Sequence, residues 1–268
     1  MNTFVITGAR IVTPNEVIDN GFLYVKKGII EAIDVVSCQR LHRSLNRING
    51  RGMWLLPGIV NICDRSLEKE LTESNIPLGI AFIAAENNLA GCGITTVNHI
   101  LLHGFDQVSD RASEIKRLRK YSAIRHEYYT MPVSDNEPAS IYGNKPNHNS
   151  LPYSCLNAAE IMRNGIDGSH GSRAGVKTMY AEVLYSDSRP FSILHSIFSL
   201  AANSDLGMPE SVKLATLNPA RVLGIDRKLG SLEVGKIADM ILVKEIDGIE
   251  IVEKVFVDGY KVLEKRNI

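Results

Sequence analysis

Gly58-Ile59-Val60-Asn61-Ile62-Cys63 is an apolar run of strand length, short enough to be a strand buried in a core. Leu78, Phe82, Ala85 and Leu89 follow it at i, i+4, i+7 and i+11, one face of a helix that Gly91 ends. Ile94-Thr95-Thr96-Val97-Asn98 is β-branched and reads as the next strand. A strand, a helix and a strand in that order predict an α/β barrel or a doubly wound sheet. The alternation continues outward, with a charged surface helix over Val108 to Lys120 and a third strand over Ala123 to Thr130. Farther on, Ala181 to Tyr185 reads as a strand and Leu194, Ile197, Phe198 and Ala201 as a helical stripe. Pro209 stands where a first-turn proline opens another helix.

Both ends of the chain read as β structure. Phe4 to Thr7, Arg10 to Val12, Gly21 to Val25 and Ile29 to Ile33 are short runs punctuated by turns such as Lys26-Lys27-Gly28. Ala238 to Val243, Ile249 to Val257 and Tyr260 to Leu263 repeat the pattern, the last pair joined by Asp258-Gly259. Between the halves lies Pro132 to Pro152, rich in Pro, Asn and Ser and without periodicity. Loops longer than about 12 to 15 residues are rare in compact domains, so this stretch is a lid, a disordered insert or the scar of a deletion. No internal repeat of solenoid length is present.

Composition narrows the function classes. The 268 residues are 44% hydrophobic and 22% charged, with 30 Lys+Arg against 30 Asp+Glu, which suits a packed core and not a disordered chain. Zero formal net charge argues against coating nucleic acid or an anionic membrane. Four cysteines without a CxxC pair predict free thiols and a reducing, cytoplasmic setting. The first residues carry no basic stretch followed by a long apolar one, so no signal peptide is expected.

Several strings now fall into an order. Leu55-Leu56-Pro57-Gly58-Ile59-Val60-Asn61 leads into the first barrel strand and Gly93-Ile94-Thr95-Thr96-Val97 into the second. Asn218-Pro219-Ala220-Arg221 and Leu223-Gly224 precede Gly230-Ser231-Leu232-Glu233-Val234-Gly235-Lys236-Ile237-Ala238-Asp239. This resembles the amidohydrolase superfamily. The resemblance implies a metal-dependent hydrolase with a (β/α)8 barrel, residues 58–228, beside a small β-sandwich that both chain ends build, residues 1–57 and 229–268. Leu67-Glu68-Lys69, Arg125-x-Glu127, Gly168-Ser169-His170 and Ser186-Asp187 are most similar to the phosphonate-pathway α-D-ribose 1-methylphosphonate 5-triphosphate diphosphatases. That likeness implies release of diphosphate from a ribosyl phosphonate triphosphate.

The chemistry implied needs divalent metal, Zn, Mn or Ni, to activate water at neutral pH. By position in the family, Asp187 is the eighth-strand aspartate that binds metal and takes a proton from the attacking water; the bland alternative is a cap for the helix near Pro190. Glu127 matches a family carboxylate near the metals, and His170 stands in a Gly/Ser loop suited to a ligand. The superfamily's first-strand His-x-His pair is replaced by Cys63 and Arg65. Cys63 is either a thiolate ligand or a small buried hydrophobe, whereas arginine has no lone pair for a metal. Arg125, Lys69 and Ser169, with Arg173 and Lys177, are candidate contacts to a phosphorylated substrate. His99 and His103 fall in expected loop and are read as structural, and His126 sits on the strand face opposite Glu127.

Residues 58–228 are few for a whole (β/α)8 fold, which takes about 200 to 250. An internal deletion and an incomplete barrel follow, with exposed strand edges that favour a homo-oligomer or a complex subunit. Two further functions remain open: a catalytically inactive relative that serves as a binding or scaffold subunit, and an amino sugar phosphate deacetylase.

Overall fold

A computed structural model describes residues 2–34, 45–67, 69–70, 76–103, 108–132, 155–157, 183–186 and 189–265. Both ends of the chain enter one mixed sheet. Its N-terminal strands are β1 (Phe4–Val12), β2 (Val17–Lys26), β3 (Ile29–Asp34), β4 (Asn46–Asn49) and β5 (Met53–Pro57). Its C-terminal strands are β11 (Met240–Ile246), β12 (Ile249–Val257) and β13 (Tyr260–Glu264). They are ordered β13-β12-β11-β5-β1-β2-β3, with β4 parallel to β1 off the main path. The seam between the two ends is the antiparallel pair β5 and β11, from Met240 opposite Pro57 to Lys244 opposite Met53.

Side-chain alternation gives this sheet two buried faces. Met240, Leu242, Leu55 and Phe256 join Ile6, Leu23 and Val25 in a core of the sheet's own, where the rings of Phe4 and Phe256 stack with centroids 5.1 Å apart. The neighbouring residues Ile241, Val243, Leu56, Val255 and Val257 face the other way, onto helices and parallel strands. A single sheet of eight strands that folds over its own core therefore stands where the sequence predicts a small sandwich. The expected pair of short strands at Phe4 and Arg10 is one strand, bulged next to Gly8, whose φ of 80° suits glycine.

The middle of the chain supplies the α/β layer. Strands β6 (Ile59–Asp64), β7 (Ile94–His103) and β8 (Arg125–Pro132) form a parallel sheet in that order. Helix α1 (Leu78–Gly91) makes the β6-to-β7 crossover and α2 (Val108–Leu118) the next. A separate parallel pair holds β9 (Cys155–Asn157) and β10 (Val183–Tyr185). Helices α3 (Phe191–Asn203), α4 (Met208–Lys213) and α5 (Leu217–Val222) return the chain to the sheet. Pro209 opens α4 as expected, and most of the Pro/Asn/Ser stretch lies outside the described residues.

Two joints set where the strand ends lie. Residues Leu214 and Ala215 bridge β10 to β6, accepting the Leu184 N–H at 2.7 Å and the Val60 N–H at 2.9 Å. Gly58 lets β6 approach β7, for a Cβ there would stand 2.1 Å from Thr95 Oγ1. Ile193, Ile197 and Leu200 of α3 pack on Leu184, Ile94 and the sheet strands in the largest core cluster. Among the described residues no helix is long and apolar enough to cross a membrane.

Candidate active site

Ligands of parallel α/β folds bind at the carboxyl ends of the strands; here buried Asp64 ends β6 and buried Ser186 follows β10, and buried Asn61, His99 and His126 lie farther back along β6, β7 and β8. In β6 a register shift between Asn61 and Asp64 breaks the regular pairing. Such a bulge turns an extra residue and re-aims its neighbours. Asn61 and Asp64, three apart, meet at 3.2 Å, while Cys63 packs beside Val60, Ile62 and Val183.

A continuous hydrogen-bonded chain starts from that bulge. The Asn61 amide grips the backbone of Ser186 at both groups: Oδ1 accepts its N–H at 3.1 Å and Nδ2 donates to its C=O at 2.8 Å. Asp64 accepts from four donors, namely Asn61 Nδ2, Ser66 N–H at 3.1 Å, Ser66 Oγ–H at 2.5 Å and His99 Nδ1 at 3.1 Å. His99 Nε2 meets His126 Nδ1 at 2.8 Å. The chain thus crosses from β10 through β6 and β7 to β8, and every member is buried.

The carboxylate decides the tautomers. An ionised Asp64 only accepts, so His99 carries its proton on Nδ1, its Nε2 accepts, and His126 donates from Nδ1. His126 Nε2 is then a bare acceptor, buried and without a partner. Phe82 of α1 lies over the ring at a centroid distance of 4.3 Å. Burial first, and His99 second, push the His126 imidazole down to about 3.

The sequence-predicted residues divide into three groups. Cys63, the next-to-last residue of β6, is half-buried, forms no disulfide among the described residues and packs against apolar neighbours. Lys69 is exposed one helical turn after Arg65, its N–H bonded to the Arg65 C=O at 2.9 Å. Glu127 follows His126 in β8 and stands opposite Asn98 in the register. Arg125, expected at a phosphate, opens β8 at its amino end and bonds Asp239 and Asp258 of the large sheet. Asp239 is buried, which raises its carboxyl to about 6 in spite of the Arg125 guanidinium. Asp187, His170, Ser169, Arg173 and Lys177 lie outside the described residues.

His99 falls in a strand and not in a loop, because β7 runs on from Asn98 to His103 beside the full length of β8. The buried Asn61-Asp64-His99-His126 chain was not legible beforehand. Its only trace is a polar residue at each break in the apolar runs of β6, β7 and β8. Among the described residues no three His, Cys, Asp or Glu side chains converge as a metal group requires.

Besides His126 Nε2, a donor of this region is left unsatisfied. Arg65, directly after β6, is half-buried, and its Nε–H is enclosed without an acceptor. The adjacent Asp64 directs both carboxylate oxygens to other donors and forms no ion pair with Arg65.

Residues 93–262 match the model of the amidohydrolase family. No curated protein matches the sequence. Among solved structures, N-acetylglucosamine-6-phosphate deacetylase from Pasteurella multocida aligns with a TM-score of 0.66 at 13% identity, over 96% of this chain and 98% of that one. Dihydropyrimidinase from Brevibacillus agri NCHU1002 aligns at 0.64 and 10% identity, over 98% and 95%. β-Aspartyl dipeptidase from Fervidobacterium islandicum AW-1 aligns at 0.63 and 13%, over 100% and 99%. At such identities these likenesses concern the fold.

Proposed function

The chain belongs to the amidohydrolase family, and on that premise we propose that it is a hydrolase of a phosphorylated, sugar-type substrate built around one divalent metal instead of two. The supporting observation is the Asn61 grip on Ser186. It ties Ser186, the residue after β10 and before Asp187, to β6, the strand that carries Cys63.

The donor chemistry fits a single ion. Cys63 offers a thiolate, Glu127 and Asp187 carboxylates and His170 an imidazole, a set that suits zinc. Arg65 has no lone pair to give, and Asp64, His99 and His126 are spent on one another. A bound ion would lower the pKa of a water and polarise the scissile group. Asp187 would take the proton of that water at its carboxylate. Lys69 and Ser169 would hold the phosphate groups and orient the substrate.

For the reaction itself, the diphosphatase-like strings favour release of diphosphate from a ribosyl phosphonate triphosphate. The deacetylase neighbour makes an N-acetyl amino sugar phosphate the comparison substrate. A second, non-catalytic reading as a binding subunit draws on the cation at Arg65, at the carboxyl end of β6.

Metal content of the purified protein by elemental analysis tests these readings, with both substrates assayed after addition of Zn, Mn or Ni. Near-stoichiometric metal that is lost in Asp187→Ala, with turnover of one substrate, is the expected result. Absence of bound metal under every loading would sink the hydrolase and leave the binding subunit.

A further inference from the structure

We propose that Arg65 is an anion-binding residue that receives a phosphoryl or phosphonyl group of the substrate. This inference deepens the hydrolase reading and rests on it for the identity of the site.

The first ground is an energetic conflict that the protein alone does not resolve. An arginine side chain is a cation with five N–H donors and no acceptor. Arg65 has its Nε–H enclosed by protein with no acceptor, a state that costs more for a charged group than for a neutral one. Among the described residues it has no carboxylate partner, and the ion pairs of the region engage other groups. Arg65 is a half-buried residue whose enclosed Nε–H lacks an acceptor among the described residues, and a ligand oxygen would supply it.

The second ground is position. Arg65 is the first residue beyond β6, at the carboxyl end of a parallel sheet, where α/β folds bind their ligands. Its backbone is held on both sides: Asp64 is locked by four hydrogen bonds, and the Arg65 C=O receives the Lys69 N–H at 2.9 Å. The arginine is therefore mounted on fixed main chain, and only its side chain remains to be engaged.

The third ground is the match of chemistry. A guanidinium presents its donors in a planar fork, which pairs with two oxygens of a phosphate or phosphonate at once. Where a metal ligand is replaced by a fixed cation, part of the positive charge that a second ion supplies is retained. A phosphoryl oxygen bound there would satisfy Nε–H and neutralise the charge together.

The test passes through no metal. Chelator-treated wild-type protein is titrated calorimetrically with inorganic phosphate and with pyrophosphate, beside Arg65→Met and Arg65→Lys. The expected result is binding by the wild type, a loss of about tenfold or more in Arg65→Met, and partial retention in Arg65→Lys, which keeps the charge but not the fork. Thermal unfolding supplies the second readout: Arg65→Met should melt no lower than wild type without phosphate, because no partner is abandoned. Equal phosphate affinity in Arg65→Met, or no binding by the wild type, would overturn the proposal. So would a marked drop in melting temperature of Arg65→Met, which would mark a structural cation. The elemental assay above is independent of all three outcomes, so failure here leaves the metal reading to be judged by its own measurement.

Discussion

Acid should cost this protein the neutral imidazole of His126, and His126→Phe isolates that cost. Burial against Phe82 and the adjacent His99 lower the pKa from 6.5 to about 3. A histidine with a depressed folded pKa takes up its proton more readily in the unfolded chain. Its contribution is present above 6.5 and is lost as pH falls toward about 3. Each unit of separation is worth about 1.4 kcal/mol, so acidification from about pH 7 to about pH 4 removes about 3 kcal/mol. Asp239 acts with the opposite sign. Its carboxyl is raised from 3.8 to about 6, chiefly by burial, so its stabilising contribution is present below 3.8 and lost as pH rises through 6. Over the same acidification it returns about 2.5 kcal/mol, nearly cancelling the histidine. The informative quantity is therefore the difference between proteins and not the wild-type curve. Urea unfolding followed by circular dichroism, with chelator present, gives the stability of wild type and His126→Phe at both pH values. The wild-type advantage should shrink by about 3 kcal/mol on acidification. An advantage that is independent of pH would refute the assignment of His126 as a buried neutral imidazole.

Two further outcomes follow from packing. Arg125→Met strands the buried Asp239 carboxylate and should cost about 3 to 5 kcal/mol near neutral pH. The penalty should shrink as pH falls, because Asp239, raised to about 6 even beside Arg125, is raised further without it and takes its proton; thermal melts across pH would show this, and an unchanged melting temperature would exclude the clamp. Gly58→Ala sets a methyl group against Thr95 Oγ1 and should destabilise by about 1 to 3 kcal/mol. Adding Thr95→Ala removes the two nearest atoms, so the double variant should recover part of the loss in urea unfolding, and strict additivity would count against the contact.

The extent to which the site was legible depended on the kind of interaction. Period and punctuation disclosed β6, α1, β8 and the terminal strands, because each is decided by local alternation of apolar and polar residues. The seam of β5 with β11 was implied by the family strings alone, since no local rule pairs Met240 with Pro57 across the chain. Arg125 read as a phosphate contact because charge beside a site carboxylate suggests a ligand. Its partners, Asp239 and Asp258, are more than a hundred residues away in sequence. The buried chain from Asn61 to His126 escaped for the same reason: histidines in separate strands meet only once the register aligns Asp64 with His99.

The amino-acid sequence by itself determined the alternating class of the fold, the family likeness and the replacement of a metal-ligand pair by Cys63 and Arg65. These are properties of residue type and order, which survive without coordinates. Tertiary structure decided which polar groups are paired and which are left over. Asp64 is saturated by four donors and Arg125 by two carboxylates, whereas the Arg65 Nε–H is enclosed with none. Desolvation makes that difference consequential, because a charge removed from water must find its counterpart in the protein or in what the protein binds.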